Sequence, residues 1–87
     1  MRYILGTTGL SLRTAPQPNE VAMYQTMIQK LAPSYDPRHI EAFMRSECGT
    51  LDRLSPSRFR TEVKYAVACI EQGGKDLAER IAKSYGL

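Results

Sequence analysis

The clearest hydrophobic pattern of the chain begins just after Ser55. The Ser55 side chain suits a helix N-cap, and Pro56 suits the first helical position, where its missing N–H costs nothing. Apolar residues then recur at three- and four-residue spacing, which places them on one helix face: Phe59, Val63, Ala66, Val67 and Ile70. Gly73 and Gly74 end the pattern, because glycine accepts the left-handed conformation of a C-cap. This pattern predicts a core helix over residues 56–72.

Three shorter amphipathic patterns predict three further helices, over residues 19–32, 37–47 and 75–85. Pro33 ends the first of them, because proline disfavours helical geometry in the residue before it. The second begins at Asp36-Pro37, a capping side chain followed by proline. Glu41 and Arg45 form a favourable i,i+4 pair on the polar face predicted for this helix. The short links between the four helices are typical of compact helical bundles.

Residues 1–18 differ from this pattern and are rich in glycine, proline and threonine. One interpretation is a small hairpin about the sequence GTTG, and the other is an extended arm that orders against the helices or a partner. An isolated two-stranded hairpin is marginal in water, which favours the arm. The expected organisation is therefore an arm over 1–18 and a helical domain over 19–87. The fold class is all-α, a small bundle of four helices with an irregular N-terminal arm.

The composition is that of an ordinary globular protein, with 43% apolar and 24% charged residues. A net charge of +3 permits an acidic partner, although acidic residues are interleaved along the chain. No apolar run approaches the roughly 18–20 residues that a membrane span needs. Two cysteines are too few for a disulfide framework. We therefore expect a cytoplasmic protein with reduced thiols and no membrane partner.

Residues that could carry catalysis or bind a metal are sparse. His39 is the single histidine and lies on the same predicted helix as Cys48, about 13 Å away along the axis, so the two cannot meet. The apolar sequence neighbours of Cys69 are typical of an inert, packed thiol. No glycine-containing stretch has the lysine and hydroxyl pattern of a phosphate-binding loop. We expect no enzymatic activity, no metal and no cofactor, and we interpret His39 as a surface residue.

Tyrosine and methionine are more numerous than so small a core can hide, and both are favoured in the cores of interfaces. Tyr65 falls off the apolar stripe of the central helix, which makes it the best candidate for an exposed anchor. The alternative is that the tyrosines are half-buried at the core edge with wet hydroxyls. We predict a small non-enzymatic module that binds a protein partner or self-associates through helix faces. Its candidate contact residues are Tyr65, Tyr24, Met23 and Tyr35.

The densest basic set of the chain surrounds the start of the central helix and consists of Arg53, Arg58, Arg60 and Lys64. Arg60 and Lys64 share one helix face, and arginines beside a helix N-terminus suit a phosphate. Nucleic-acid association through these residues is therefore the alternative function. Because Asp52 and Glu62 dilute the charge, an ordinary solvated helix face is the competing explanation.

Two stretches, DPRHIEAFMRSECGTLDRLSPSRFRTEVKYAVACIEQGG and LAERIAKSYGL, resemble small uncharacterised proteins of proteobacterial chromosomes and mobile elements. The resemblance covers residues 36–87 and includes no chemical motif. It implies no activity, cofactor or site.

Overall fold

The computed structural model describes residues 17–87, and this part of the chain contains helices and no strand. The helices are α1 (Pro18–Leu31), α2 (Pro37–Cys48), α3 (Pro56–Cys69) and α4 (Lys75–Ser84). The all-α prediction is confirmed. The hairpin and the arm proposed for the N-terminal segment lie outside the described residues, apart from its last two positions.

The predicted starts of α2 and α3 are confirmed by their caps. Asp36 Oδ1 accepts a hydrogen bond from the Arg38 amide at 2.9 Å, and Ser55 Oγ accepts one from the Arg58 amide at 3.2 Å. Each cap precedes a proline at the first helical position. The first helix begins one residue earlier than predicted, at Pro18, because this proline suits the same position.

The last two helices are not separated as predicted, because the π-helical segment Ile70–Gly74 joins α3 to α4. Within that segment the backbone of Gln72 (φ −88°, ψ 17°) and Gly73 (φ 95°, ψ 14°) leaves helical geometry. The chain therefore kinks at the predicted glycine pair, where Gly73 takes the positive φ expected of a C-cap glycine. The fold has four helical segments, of which the last two form one kinked run.

The core lies where α1, α2 and α3 meet. It consists of Tyr24, Ile28, Ala32, Ile40, Met44, Leu51, Phe59, Val63 and Ala66. The apolar stripe predicted for α3 faces this core, and Leu51 reaches it from the link before α3 with only 2% of its surface exposed. On the other side of α2, α4 packs closely through Ala78 and Ala82, both fully buried. Burial of each large apolar side chain stabilises the fold by about 1.5–3 kcal/mol.

The polar face predicted for α2 is not solvated. Glu41 is fully buried and Arg45 is 5% exposed, because α1 covers this face while α4 covers the opposite one. The predicted pair does form, with Arg45 Nε donating to Glu41 Oε2 at 2.8 Å. Two side chains of α1 complete the network: Gln25 Nε2 donates to Glu41 Oε1 at 3.0 Å, and Glu20 Oε1 accepts from Arg45 Nη2 at 3.0 Å. A polar network therefore joins α1 to α2.

His39 was predicted at the surface but is 6% exposed, because α4 covers it. Its Nε2 donates to Glu79 Oε1 at 2.8 Å. Arg38 bridges Glu79 and Asp36, at 2.9 Å and 3.1 Å respectively. Hydrogen bonds from His39 and Arg38 lower the pKa of Glu79 from its ordinary value near 4.5 to about 2. This ionic cluster joins the start of α2 to α4.

Candidate interaction grooves

Large apolar side chains are exposed on both flanks of α3. In residues 17–87 they are Met23 (52% exposed), Met27 (40%), Leu31 (44%), Tyr65 (62%) and Leu77 (45%). The first three follow one another at four-residue spacing on α1, so they form a stripe along one helix face. The other two lie beside the kink between α3 and α4. Four of the five line grooves, which we describe in turn.

The first groove, called here the α1–α3 groove, follows the seam between these two helices. It consists of two hollows of about 240 and 330 Å³ that share Leu31. Its apolar lining is Met27, Leu31, Ala32, Pro33, Tyr35, Pro56, Phe59, Val63 and Val67. Tyr24 stacks on the lining residue Phe59 from the core side, with the ring centroids 6.0 Å apart. Met27 and Leu31 remain uncovered because they sit on the outer side of this contact.

The rim of the α1–α3 groove is basic. Lys30 stands on the α1 side, and Arg60 and Lys64 stand on the α3 side. All three are exposed, and none makes an ion pair within residues 17–87. The described lining includes no acidic side chain. Near the end of the groove, the Tyr35 hydroxyl donates a short hydrogen bond to Glu71, which raises the pKa of Tyr35.

The second groove, called here the Tyr65 groove, lies between α2, α3 and α4 and has a volume of about 320 Å³. Its apolar lining is Phe43, Met44, Tyr65, Ala66, Cys69, Leu77 and Ile81. Its charged lining residues are acidic: Glu47 is exposed, and Glu62 is 8% exposed and accepts a hydrogen bond from Arg58 Nε at 2.7 Å. The two grooves therefore carry opposite charge.

The structure separates the four predicted protein-contact residues. Tyr65 is exposed as predicted, Tyr35 is half-buried in the α1–α3 groove, and Met23 is exposed on α1 outside both described linings. Tyr24 is corrected to a core residue: it is 6% exposed, stacks on Phe59, and its burial raises the pKa of its phenol. Its side chain lies on the inner stripe of α1, facing α2 and α3.

The predicted basic set does not form one patch. Arg60 and Lys64 line the α1–α3 groove, whereas Arg58 lies on the opposite flank of α3, where it holds Glu62. Arg53 is exposed in the link before α3. Sequence reasoning missed Lys30, because only the packing of α1 beside α3 brings it to the same rim.

The described thiols and the histidine lie in different environments. Cys69 is exposed in the Tyr65 groove, contrary to the packed setting predicted for it. Cys48 is half-buried, and burial together with the neighbouring Glu62 raises the pKa of its thiol. His39 is engaged with Glu79. Across residues 17–87, no three His, Cys, Asp or Glu side chains come together to hold a metal ion. No helix of this part is long and apolar enough to cross a membrane.

Comparison of the chain with protein families, curated proteins and solved structures finds no match. The resemblance of residues 36–87 to small proteobacterial proteins stays a prediction. The function must therefore be inferred from the two grooves.

Proposed function

We propose that this protein is a non-enzymatic interaction module that binds a protein partner through the grooves beside α3. The observation that carries the proposal is the grouping of exposed apolar side chains: Met27 and Leu31 share one groove, and Tyr65 and Leu77 share the other. Single exposed apolar residues are ordinary, whereas grouped ones offer a partner a concave surface to bury. Each square ångström of apolar surface that is buried contributes about 25 cal/mol before the costs of association.

Residue chemistry also favours an interaction module over a catalyst. The buried polar clusters of α2 are satisfied by partners on α1 and α4, so they act within the fold. The groove linings are mainly apolar and contain neither a paired nucleophile and base nor a group of metal ligands in the described residues. Such linings suit the apolar face of another protein.

Leu31→Ser and Leu77→Ser provide a matched test of this proposal. The two leucines are 44% and 45% exposed and line different grooves. The same substitution therefore tests the contribution of each groove to binding and should affect the stability of the fold to a similar extent. The partner is first recovered from source cells with the wild-type chain, identified and purified. Its affinity for each folded variant is then measured by calorimetry. We expect one variant to weaken binding about 10-fold or more. Wild-type affinity in both variants contradicts the proposal.

Nucleic-acid association is the second candidate, because Lys30, Arg60 and Lys64 are exposed and have no acidic partner in the described chain. Three phosphate contacts predict a slope of about −2.7 for log affinity against log salt on duplex DNA. Fluorescence anisotropy with duplex and single-stranded DNA at two salt concentrations measures this slope. Loss of a salt-sensitive affinity in Arg60→Ala/Lys64→Ala, but not in Arg58→Ala, favours this candidate. An affinity that does not respond to salt excludes it.

A further inference from the structure

We infer that the α1–α3 groove receives an acidic amphipathic helix of the partner protein. The inference rests on the proposed function and adds to it the groove that is used and the chemistry of its occupant. Three properties of the groove carry it: its length and walls, the position of its exposed apolar side chains, and the charge of its rim.

The length and walls of the groove fit a helix. Along α3 it extends from Pro56 to Val67, which corresponds to about 16 Å or three helical turns. Two helices form its walls, and side-chain ridges of a third helix can pack into such a seam. A peptide strand is less suitable, because strand addition needs a free sheet edge and residues 17–87 contain no strand.

The exposed apolar contacts also have helical spacing. Met27 and Leu31 are one turn apart on α1, so their side chains follow one another about 6 Å apart along the groove. Val67 and Tyr35 continue the apolar surface beyond Leu31, and both are half-buried. A partner helix with apolar residues at positions i, i+3, i+4 and i+7 would place one of them against each of these contacts.

The charge of the rim selects an acidic helix. Lys30 on one wall and Arg60 and Lys64 on the other flank the apolar floor, so acidic residues on both sides of an apolar stripe would meet cations. Exposed pairs of this kind contribute little to affinity. Their larger effect is on partner choice and association rate, because like charges at the rim oppose binding.

The basic rim also disfavours occupants from this chain. Residues 1–16 contain Arg2 and Arg13 and no acidic residue, so this segment would bring cations to a basic rim. A second copy has a net charge of +3, which opposes its approach, and its acidic Tyr65 groove is concave, so that surface cannot fill another groove. A nucleic-acid backbone supplies negative charge, but it would leave Met27 and Leu31 against phosphates and sugars rather than apolar groups.

A displayed helix library tests the inference without dependence on one chosen sequence. Each member has about four turns, an apolar stripe at i, i+3, i+4 and i+7, and flanking positions drawn equally from Glu, Lys, Gln and Ser. Selection on the wild-type full-length chain is expected to enrich Glu over Lys at the flanking positions about 10-fold. A selected helix, made as a labelled synthetic peptide, then gives affinities by fluorescence anisotropy.

Matched variants locate the bound peptide. We expect Leu31→Ser to weaken its affinity about 10-fold and Leu77→Ser to leave it within about 2-fold. The charge reversal Arg60→Glu/Lys64→Glu is expected to remove the preference for acidic peptides. Arg80→Glu/Lys83→Glu on the exposed side of α4 makes the same change in net charge and is expected to retain it. Circular dichroism establishes that each variant is folded.

Five outcomes overturn the inference. In the library, the first is enrichment of Lys or the absence of any charge preference. In the variants, the second is a peptide affinity that depends on Leu77 instead of Leu31, and the third is a preference for acidic peptides that persists after the charge reversal. The fourth is displacement of the peptide by equimolar duplex DNA, and the fifth is self-association of the chain that Leu31→Ser abolishes. Dependence on Leu77 leaves the proposed function standing and moves the partner to the Tyr65 groove. The proposed function itself fails only if the purified natural partner binds both serine variants like the wild type.

Discussion

At the residue scale, Glu41 is a carboxylate with no solvent exposure at the interface between α1 and α2. Both of its oxygens are satisfied, one by Arg45 and the other by Gln25. The Arg45 guanidinium in turn binds Glu20 and lies over the Tyr24 ring, 5.7 Å from its centroid. A buried ion pair often stabilises a fold little more than an apolar pair does, but removal of one partner leaves the other charge buried and unpaired.

Arg45→Met is therefore expected to cost about 3–5 kcal/mol of unfolding free energy, because it leaves the Glu41 carboxylate buried without its cation. Glu41→Leu/Arg45→Met removes both charges and is expected to recover most of this loss. Glu20→Gln, at a partly exposed position, is expected to cost about 1 kcal/mol or less. Urea denaturation followed by circular dichroism measures all three. A double variant no more stable than Arg45→Met would show that packing, not charge, decides the effect.

The His39–Glu79 contact between α2 and α4 predicts a dependence on pH. The pKa of Glu79 is about 2 in the fold and returns to near 4.5 on unfolding, so the unfolded chain binds a proton first as pH falls. The carboxylate therefore stabilises the fold fully above about pH 5, and this contribution is lost between about pH 4.5 and pH 2. Thermal melts from neutral pH downwards should show Glu79→Gln less stable than wild type at neutral pH, with a difference that shrinks as pH falls towards 2 and vanishes below it. A constant difference at every pH contradicts this assignment.

At the scale of helices, the junction between α3 and α4 depends on two glycines for different reasons. Gly73 has φ +95° and open space around its Cα, so only its backbone conformation resists a side chain. Gly74 has an ordinary φ, but a Cβ there would lie 2.6 Å from the Cys69 carbonyl oxygen and 3.2 Å from the Phe43 ring. The kink therefore combines a left-handed residue with a close approach of the chain to itself.

Gly73→Ala is expected to cost about 1 kcal/mol, the usual penalty for a left-handed alanine. Gly49→Ala is expected to cost more than Gly73→Ala, because Gly49 combines φ +78° with ψ −74°, a rarer and more strained conformation for alanine than the left-handed one. Gly74→Ala is expected to cost about 2–3 kcal/mol, since Cys69 must move to relieve the clash. Chemical denaturation gives the order of the three variants. If Gly74→Ala proves the mildest, the junction is looser than its backbone geometry implies.

Helix positions were predictable from the sequence because their signals are local. Asp36 and Ser55 cap the helices that follow them, and the glycines end α2 and α3 near the predicted places. The environment of each helix face was less predictable. The α2 helix has an ordinary polar face, yet neighbours cover it on two sides, so Glu41 and His39 are buried. This burial is determined by tertiary packing, and the spacing of residues within α2 does not indicate it.

The candidate site residues show the same difference between what one helix determines and what tertiary packing determines. Tyr65 was placed correctly at the surface because its position off the α3 stripe is a property of one helix. Tyr24 lies on the inner stripe of α1 and is buried. It was misassigned because the prediction relied on the surplus of aromatic residues and gave too little weight to this position. The basic rim depends on α1 packing beside α3, which brings Lys30 to the same groove as Lys64, and their separation in sequence hides this arrangement.

At the scale of the whole molecule, small size and open grooves are connected. A chain of 87 residues buries only roughly 60–65% of its unfolded surface, so its free energy of unfolding is expected near the low end of about 5–15 kcal/mol. Met27 and Leu31 contribute little to that stability while they face water. An occupant of the α1–α3 groove would add its binding energy to the folded state alone.

A groove-binding peptide is therefore expected to raise the melting temperature of the full chain. At a free concentration ten times its dissociation constant, it adds about 1.4 kcal/mol, which corresponds to about 6–11 °C for a domain of this size. Leu31→Ser, with about 10-fold weaker binding, should shift by only about 2–3 °C at the same peptide concentration, whereas Leu77→Ser should shift like the wild type. Differential scanning calorimetry of the wild type and of each variant, with and without the peptide, measures these shifts in melting temperature. Equal shifts in both variants would mean that the peptide binds outside the α1–α3 groove, because a site that does not contact Leu31 is insensitive to its loss.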